Sequence, residues 1–151
     1  MLLISESTSY PGTVRDVVKG IISTLREDKG ASILLASAPE RVDPGNEKYN
    51  HKNTPRLVSG LTPEATKKAA EFYRSFTENV IEVSSPEVAE TAKLLENTFR
   101  QVNIALVNEV AIISRALGID VREVIEAANS KPYGFMKFTP GAGVGGHCIP
   151  V

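Results

Sequence analysis

Apolar residues recur at Val88, Ala92, Leu95, Phe99, Val102, Leu106, Val110, Ile113 and Leu117. Steps of three and four put them on one face, predicting a single helix from Pro86 to Leu117, about 48 Å long at about 1.5 Å per residue. Ser85 suits the N-cap, Pro86 the first turn, and Gly118 a left-handed stop. From Ile104 a second row begins (Ile104, Val107, Ala111), so the back half is apolar nearly all round. It needs cover on several sides, from its own chain or from a partner subunit. The same helix carries Glu90, Lys93, Asn97, Asn103 and Asn108. Lys93 and Asn97 are spaced i, i+4 and share a face, and asparagine is a mediocre helix former. A solvated face explains such residues in most helices; a polar strip lining a site is the alternative. Nothing local separates the two.

The preceding residues alternate short apolar runs with helical patterns. Leu2–Ser5 predicts a strand, followed by the loop Glu6-Ser7-Thr8-Ser9-Tyr10-Pro11-Gly12. Thr13 caps a helix to about Glu27, with Val14, Val17, Val18, Ile21, Ile22 and Leu25 on its inner side. Ser32–Ser37 predicts a second strand, apolar on both faces as in a covered parallel sheet. A polar loop bearing Pro and Gly fills 38–55. Arg56–Ser59 is a third strand, and Thr62 caps a helix with Pro63 at its first position, ending near Phe76. Asn79–Ser84 is a fourth strand. After the long helix, Asp120 opens another, to about Asn129, with Glu123 completing a capping box. This order predicts an α/β fold, the second half of a Rossmann-like parallel sheet, then an all-helical region, with the boundary near Ser84/Ser85. The chain begins inside a strand with nothing ahead of it to cover the sheet edge. Its first half-sheet is therefore expected to be missing.

Composition narrows the function little. The 151 residues are 42% hydrophobic and 23% charged, with a net charge of −1, as in a soluble globular protein with no electrostatic footprint for nucleic acid. No apolar run has membrane-spanning length, and the chain turns polar directly after Ile4, unlike a signal peptide. One cysteine and two histidines give no internal disulfide and no structural metal site, and make a cytoplasmic setting the default.

Two stretches could carry chemistry. The tail reads Gly141-Ala142-Gly143-Val144-Gly145-Gly146-His147-Cys148. Gly141, Gly143 and Gly146 have the spacing of the dinucleotide fingerprint. No strand precedes them, Pro150 forbids a following helix, and no acidic residue lies about twenty positions on, so that match is rejected. Glycines here suit a loop whose backbone passes close to a ligand, with Cys148 at its tip. Cys148 itself reads either as a small buried filler or as a nucleophile, and His147 as a structural or ligand-contacting residue. The second stretch, Pro39-Glu40-Arg41-Val42-Asp43-Pro44-Gly45, directly follows the second strand. Loops beyond C-terminal strand ends bind ligands in open parallel sheets, which favours Glu40; Ser7-Thr8 occupies the equivalent rim after the first strand.

Four stretches together resemble the UDP-glucose/GDP-mannose (nucleotide-sugar) dehydrogenases. They are Glu6 to Gly12, Ala38-Pro39-Glu40-Arg41-Val42-Asp43-Pro44-Gly45-Asn46, Glu90 to Asn108 with Lys93-Leu94-Leu95-Glu96-Asn97, and Gly143-Val144-Gly145-Gly146-His147-Cys148-Ile149-Pro150. They follow the family's order and cover nearly the whole chain. The Pro-Glu-Arg-x-Asp-Pro-Gly form and the run Lys131-Pro132-Tyr133-Gly134-Phe135-Met136 look most like the UDP-N-acetylhexosamine 6-dehydrogenase branch.

The resemblance implies a two-step, NAD-dependent oxidation of a UDP-sugar's C6 alcohol to the acid. It makes Cys148 the nucleophile, passing through a thiohemiacetal and a thioester. Glu40 becomes the general base for the hydrolytic water, its pKa raised by burial. Lys93 and Asn97 would stabilise oxyanion character at C6, and Thr8 would position water and touch cofactor. Arg41, Val42, Asp43, Gly145 and Gly146 would contact substrate, and Ser7, Thr8 and Glu40 the NAD. No metal is implied. The long helix would form a homodimer, and the cellular role would be polysaccharide biosynthesis.

Residues 1–84 would be the C-terminal half of the NAD-binding domain, and 85–151 the central dimerisation domain ending in the cysteine loop. The fingerprint half-sheet with its acidic ribose partner, the Asp shortly after the nucleophile, and the sugar-nucleotide domain are not in this sequence. The chain by itself is therefore expected to be inactive. A non-catalytic dimerisation module or truncated pseudo-enzyme, and another thiol enzyme on a related scaffold, are the competing readings.

Overall fold

The computed structural model describes residues 1–25, 33–43 and 45–143. The chain forms two compact units, Met1–Leu95 and Glu96–Val151.

The first unit holds a four-stranded sheet in the order β1 (Leu2–Ser5), β2 (Leu34–Ser37), β3 (Arg56–Gly60), β4 (Val80–Glu82). A helical segment at Thr13–Val18, continuing as α1 (Lys19–Leu25), connects β1 to β2; α2 (Pro63–Arg74) connects β3 to β4. Both of these pairs are parallel, as a helical crossover requires. The β2–β3 pair is antiparallel, with Ala36 opposite Gly60 and Ser37 opposite Ser59. The expected all-parallel sheet is thus corrected at one junction. Among the described residues no helix lies between β2 and β3, and the chain returns beside the strand it has just left.

Small residues set the packing of α2. Ala36, Ala38 and Val58 from the sheet meet Ala69, Ala70 and Tyr73 of α2 in one buried cluster, with Leu2, Ile4 and Val80 against it. A Cβ at Gly60 would lie 2.4 Å from Ala65 Cβ and 2.5 Å from Thr66 N, so only glycine permits this close start of α2. The Thr62 side chain caps that helix by accepting from Ala65 N–H, as predicted.

The helix after β1 departs from its expected face. Thr13–Val18 is wound as a π-helix, closed by Lys19 N–H donating to Val14 O. The wider turn rotates the residues that follow. Val14 is buried and Val17, Val18 and Ile22 are half-buried, but Ile21 and Leu25 are exposed. The expected extension of this helix to Glu27 falls outside the described residues.

The long helix, α3 (Pro86–Leu117), has the predicted bounds. Its end is a full left-handed stop. Gly118 has φ +71°, Gly118 N–H donates to Arg115 O, and Ile119 N–H to Ser114 O. In the second unit Asp120 caps α4 (Val121–Asn129) by accepting from Arg122 N–H. The second apolar row of α3 is the covered one: Ile104 and Val107 are buried. The first row stays open, with Leu95, Val102, Leu106, Ile113 and Leu117 each more than half exposed.

Candidate active site

Backbone pairing carries on past the ends of the parallel strands. Ala38 N–H donates to Ser5 O and Glu40 N–H to Glu6 O, each at 2.9 Å. These bonds draw the loops after β1 and β2 together on one rim. Ser7, Thr8 and Asp43 are exposed there, and Arg41 and Val42 are half-buried. Ser9 Oγ, next to Thr8, is buried and finds no hydrogen-bond partner among the described residues.

Glu40 is fixed at both oxygens. Oε1 accepts from Arg41 N–H at 2.6 Å and Val42 N–H at 2.7 Å. Oε2 accepts from Arg56 Nη2 at 2.6 Å and lies 3.3 Å from His51 Nδ1. Burial pushes the carboxyl pKa up, but the hydrogen bonds from Val42 and Arg56, with the guanidinium charge, outweigh it and hold the group below its ordinary value. The expected elevation by burial is therefore reversed: the group is ionised at neutral pH.

Arg56 was not a sequence candidate. It is 5% exposed at the start of β3. Its Nη1 donates to Ala38 O and Pro39 O at 3.2 Å and sits 3.9 Å from Glu6 Oε1, and its guanidinium lies 4.9 Å from the centroid of the Tyr73 ring. Tyr73 O–H donates to Glu6 Oε1 at 2.5 Å; burial first, then this bond, raises the phenol pKa. The usable signal was a basic residue opening an otherwise uncharged strand. Reading it required the antiparallel register, which, carried on three residues beyond Ser37/Ser59, brings Arg56 opposite Glu40.

A second carboxylate anchors the rim to α3. Glu90, 1% exposed, accepts from Gly12 N–H at 2.7 Å and Val14 N–H at 3.1 Å, satisfying donors at the start of the π-wound segment. Gly12 has φ +96°, where a side chain would be strained, and a Cβ there would meet Asp16 Oδ2 at 2.7 Å. Glu87, one turn earlier, pairs with Arg15 at 2.5 Å, which pulls its pKa down to about 2, helped by the Ser85 hydroxyl. Lys93 follows Glu90 by one turn and is half-buried. Within the first unit, then, Ser7, Thr8, Glu40, Arg41, Val42 and Asp43 share one rim, and Glu90 ties the first of its loops to the helix bearing Lys93.

In the second unit Asn97 is half-buried on α3. Asn108 Oδ1 accepts from Gly141 N–H at 3.0 Å, and Phe138 packs edge-on against Phe99. These contacts lay the beginning of the glycine-rich tail along α3. Gly145, Gly146, His147 and Cys148 lie outside the described residues. Among the described residues no cluster could hold a metal, and no helix is long and apolar enough to cross a membrane.

A βαβ unit whose polar loops gather beyond the C-terminal strand ends is the Rossmann-type arrangement for dinucleotides. Residues 1–77 match the profile described as the NAD binding domain of the UDP-glucose/GDP-mannose dehydrogenase family, and residues 87–151 match that family's central domain. The chain belongs to this family of NAD-dependent nucleotide-sugar dehydrogenases. It is 41% identical over 149 residues to the UDP-N-acetyl-D-mannosamine dehydrogenase of Pyrococcus horikoshii, covering 99% of this chain and 35% of that protein. It is 40% identical over 154 residues to the UDP-N-acetyl-D-glucosamine 6-dehydrogenase of Pseudomonas aeruginosa, covering 99% and 36%. The native structure of the UDP-N-acetyl-mannosamine dehydrogenase Cap5O from Staphylococcus aureus superposes with a TM-score of 0.84 at 41% identity, over 99% of this chain and 36% of that one. The chain thus spans about a third of the length of the relatives it matches.

The rim fits a share of an NAD site. Ser7 and Thr8 are exposed hydroxyls beyond the ends of a parallel pair, and Ser9 offers a further hydroxyl without a partner among the described residues.

Proposed function

We propose that this chain is the central part of a UDP-sugar 6-dehydrogenase acting on UDP-N-acetylglucosamine or UDP-N-acetylmannosamine. Residues 1–84 form the C-terminal half of its NAD-binding domain, and 85–151 its central domain. NAD, when bound, supplies the hydride acceptor for both oxidations. The Cys148 thiolate adds to the C6 aldehyde as a thiohemiacetal, and the second oxidation leaves a thioester. Glu40 takes a proton from the water that hydrolyses it, and Thr8 helps to place that water. Lys93 and Asn97 stabilise the oxyanion at C6. Arg41, Val42, Asp43, Gly145 and Gly146 contact the sugar nucleotide; Ser7, Thr8 and Glu40 contact the cofactor.

The observation that carries this reading is Glu40: an ionised, rigidly held carboxylate on the rim where the loops after β1 and β2 meet. A base for hydrolysis needs that placement more than it needs a high pKa, because it must be deprotonated before water arrives. The exposed apolar row of α3 supports a homodimer through this helix. It also keeps a second reading in play, a dimerisation module without chemistry. We place the protein in the cytoplasm, in polysaccharide biosynthesis.

The test is NADH formation by a full-length protein carrying this segment, offered each UDP-N-acetylhexosamine with NAD. Cys148→Ser should abolish acid production, and the 151-residue chain by itself should produce no NADH. Undiminished turnover by the serine variant would remove Cys148 from the mechanism. Absence of turnover with any nucleotide sugar would favour the module.

A further inference from the structure

We propose that Arg56 is the positioning residue for Glu40, the buried cation that locks both rim loops to β3 and aims the one acceptor direction left open on the carboxylate. This inference rests on the reading of Glu40 as general base.

A carboxylate offers about four acceptor directions. Among the described residues, donors occupy three of these on Glu40: Arg41 N–H and Val42 N–H at Oε1, and Arg56 Nη2 at Oε2. The fourth, on Oε2, faces His51 Nδ1 at 3.3 Å, and His51 is an exposed side chain that can give way. Among the described residues these contacts leave water one direction, on Oε2, and Arg56 fixes the oxygen that presents it.

The guanidinium is itself constrained from every side. It bonds the carbonyls of Ala38 and Pro39, so it holds the backbone leading into Glu40 as well as its side chain. It lies over the Tyr73 ring, and Tyr73 holds Glu6 through a hydrogen bond. Glu6, in turn, accepts Glu40 N–H at its own carbonyl. Among the described residues, the charged and titratable groups around Glu40 include Arg56 and His51 in direct reach, the neighbouring Arg41, whose Nη1 donates to Pro55 O, and Glu6 and Tyr73 beyond the guanidinium. A lysine could keep the charge but could not reach the carboxylate and both carbonyls with one planar fork.

The test is a pH titration of the Glu40 side-chain carboxyl by 13C NMR in the 151-residue chain. Arg56→Met should raise its titration midpoint by about one pH unit or more, the range for losing an adjacent opposite charge. Arg56→Lys should give part of that rise, and His51→Ala should change it by only a few tenths. If the methionine variant does not fold, the lysine variant decides. A folded Arg56→Lys or Arg56→Met chain whose Glu40 titrates as wild type would overturn the proposal. Its failure is separable from that of the proposed function. If Arg56 controls the titration while a full-length Glu40→Gln enzyme retains turnover, the positioning stands and the base assignment falls.

Discussion

The rim beyond β1 and β2 and the back half of α3 solve opposite problems. On the rim, charged groups are satisfied by this chain alone: Glu40 by two amides and Arg56, Glu90 by two amides, Glu6 by Tyr73. On α3, Leu106, Ile113 and Leu117 are apolar and left in the open. Ionised groups cannot await a partner in a buried place, because an unpaired charge there is costly before the partner arrives. Apolar surface can wait, at the cost of solubility, and its burial then drives association. The rim should therefore be rigid and self-contained, and the helix face should depend on assembly.

Breaking the rim should have the largest effect. Glu90→Ala strands Gly12 and Val14 N–H in a buried place and should cost about 3 kcal/mol. Chemical denaturation followed by circular dichroism checks this, and Glu90→Gln should recover part of the loss. A change within error for the alanine variant would mean that the rim is not anchored through α3.

The helix face should respond differently. Leu106→Asp places a charge in the exposed row and should turn the proposed dimer into a monomer at micromolar concentration in sedimentation. It should leave the unfolding of the first unit nearly unchanged. A dimer that survives this substitution would locate the interface elsewhere.

The smallest effect concerns acid stability. Glu87 has a folded pKa of about 2, against an ordinary value of about 4.3. A depressed pKa contributes stability that is present above the unfolded value and lost as pH falls toward the folded one. Glu87→Gln should therefore flatten the decline of stability between about pH 5 and about pH 2. Parallel curves for wild type and variant would show that the Arg15 pair does not act in solution.

Local patterns made most of the fold legible. The bounds of α3, its glycine stop and the Thr62 and Asp120 caps depend on near neighbours, and all appear as predicted. Two features hidden from such patterns shaped the site. The direction of β3 depends on what fills 38–55, and a loop there reverses the strand. Had β3 run parallel, Arg56 would have opened it at the far end of the sheet from Glu40. The π-wound segment after Gly12 is held at its start by a carboxylate 78 residues away, which no local periodicity can register. Glu40 was legible from its place after a strand and from the family resemblance. Its lowered pKa was not, because the Val42 amide and the guanidinium of Arg56, 16 residues further on, set it together.

The role proposed for Glu40 is to activate the water that releases the sugar acid from Cys148. Intact-mass spectrometry of a full-length Glu40→Gln enzyme, mixed with NAD and a UDP-N-acetylhexosamine, tests it. A covalent sugar-acyl adduct should accumulate on Cys148, with NADH formation stopping near the first turnover. Steady turnover at the wild-type rate with no adduct would contradict it.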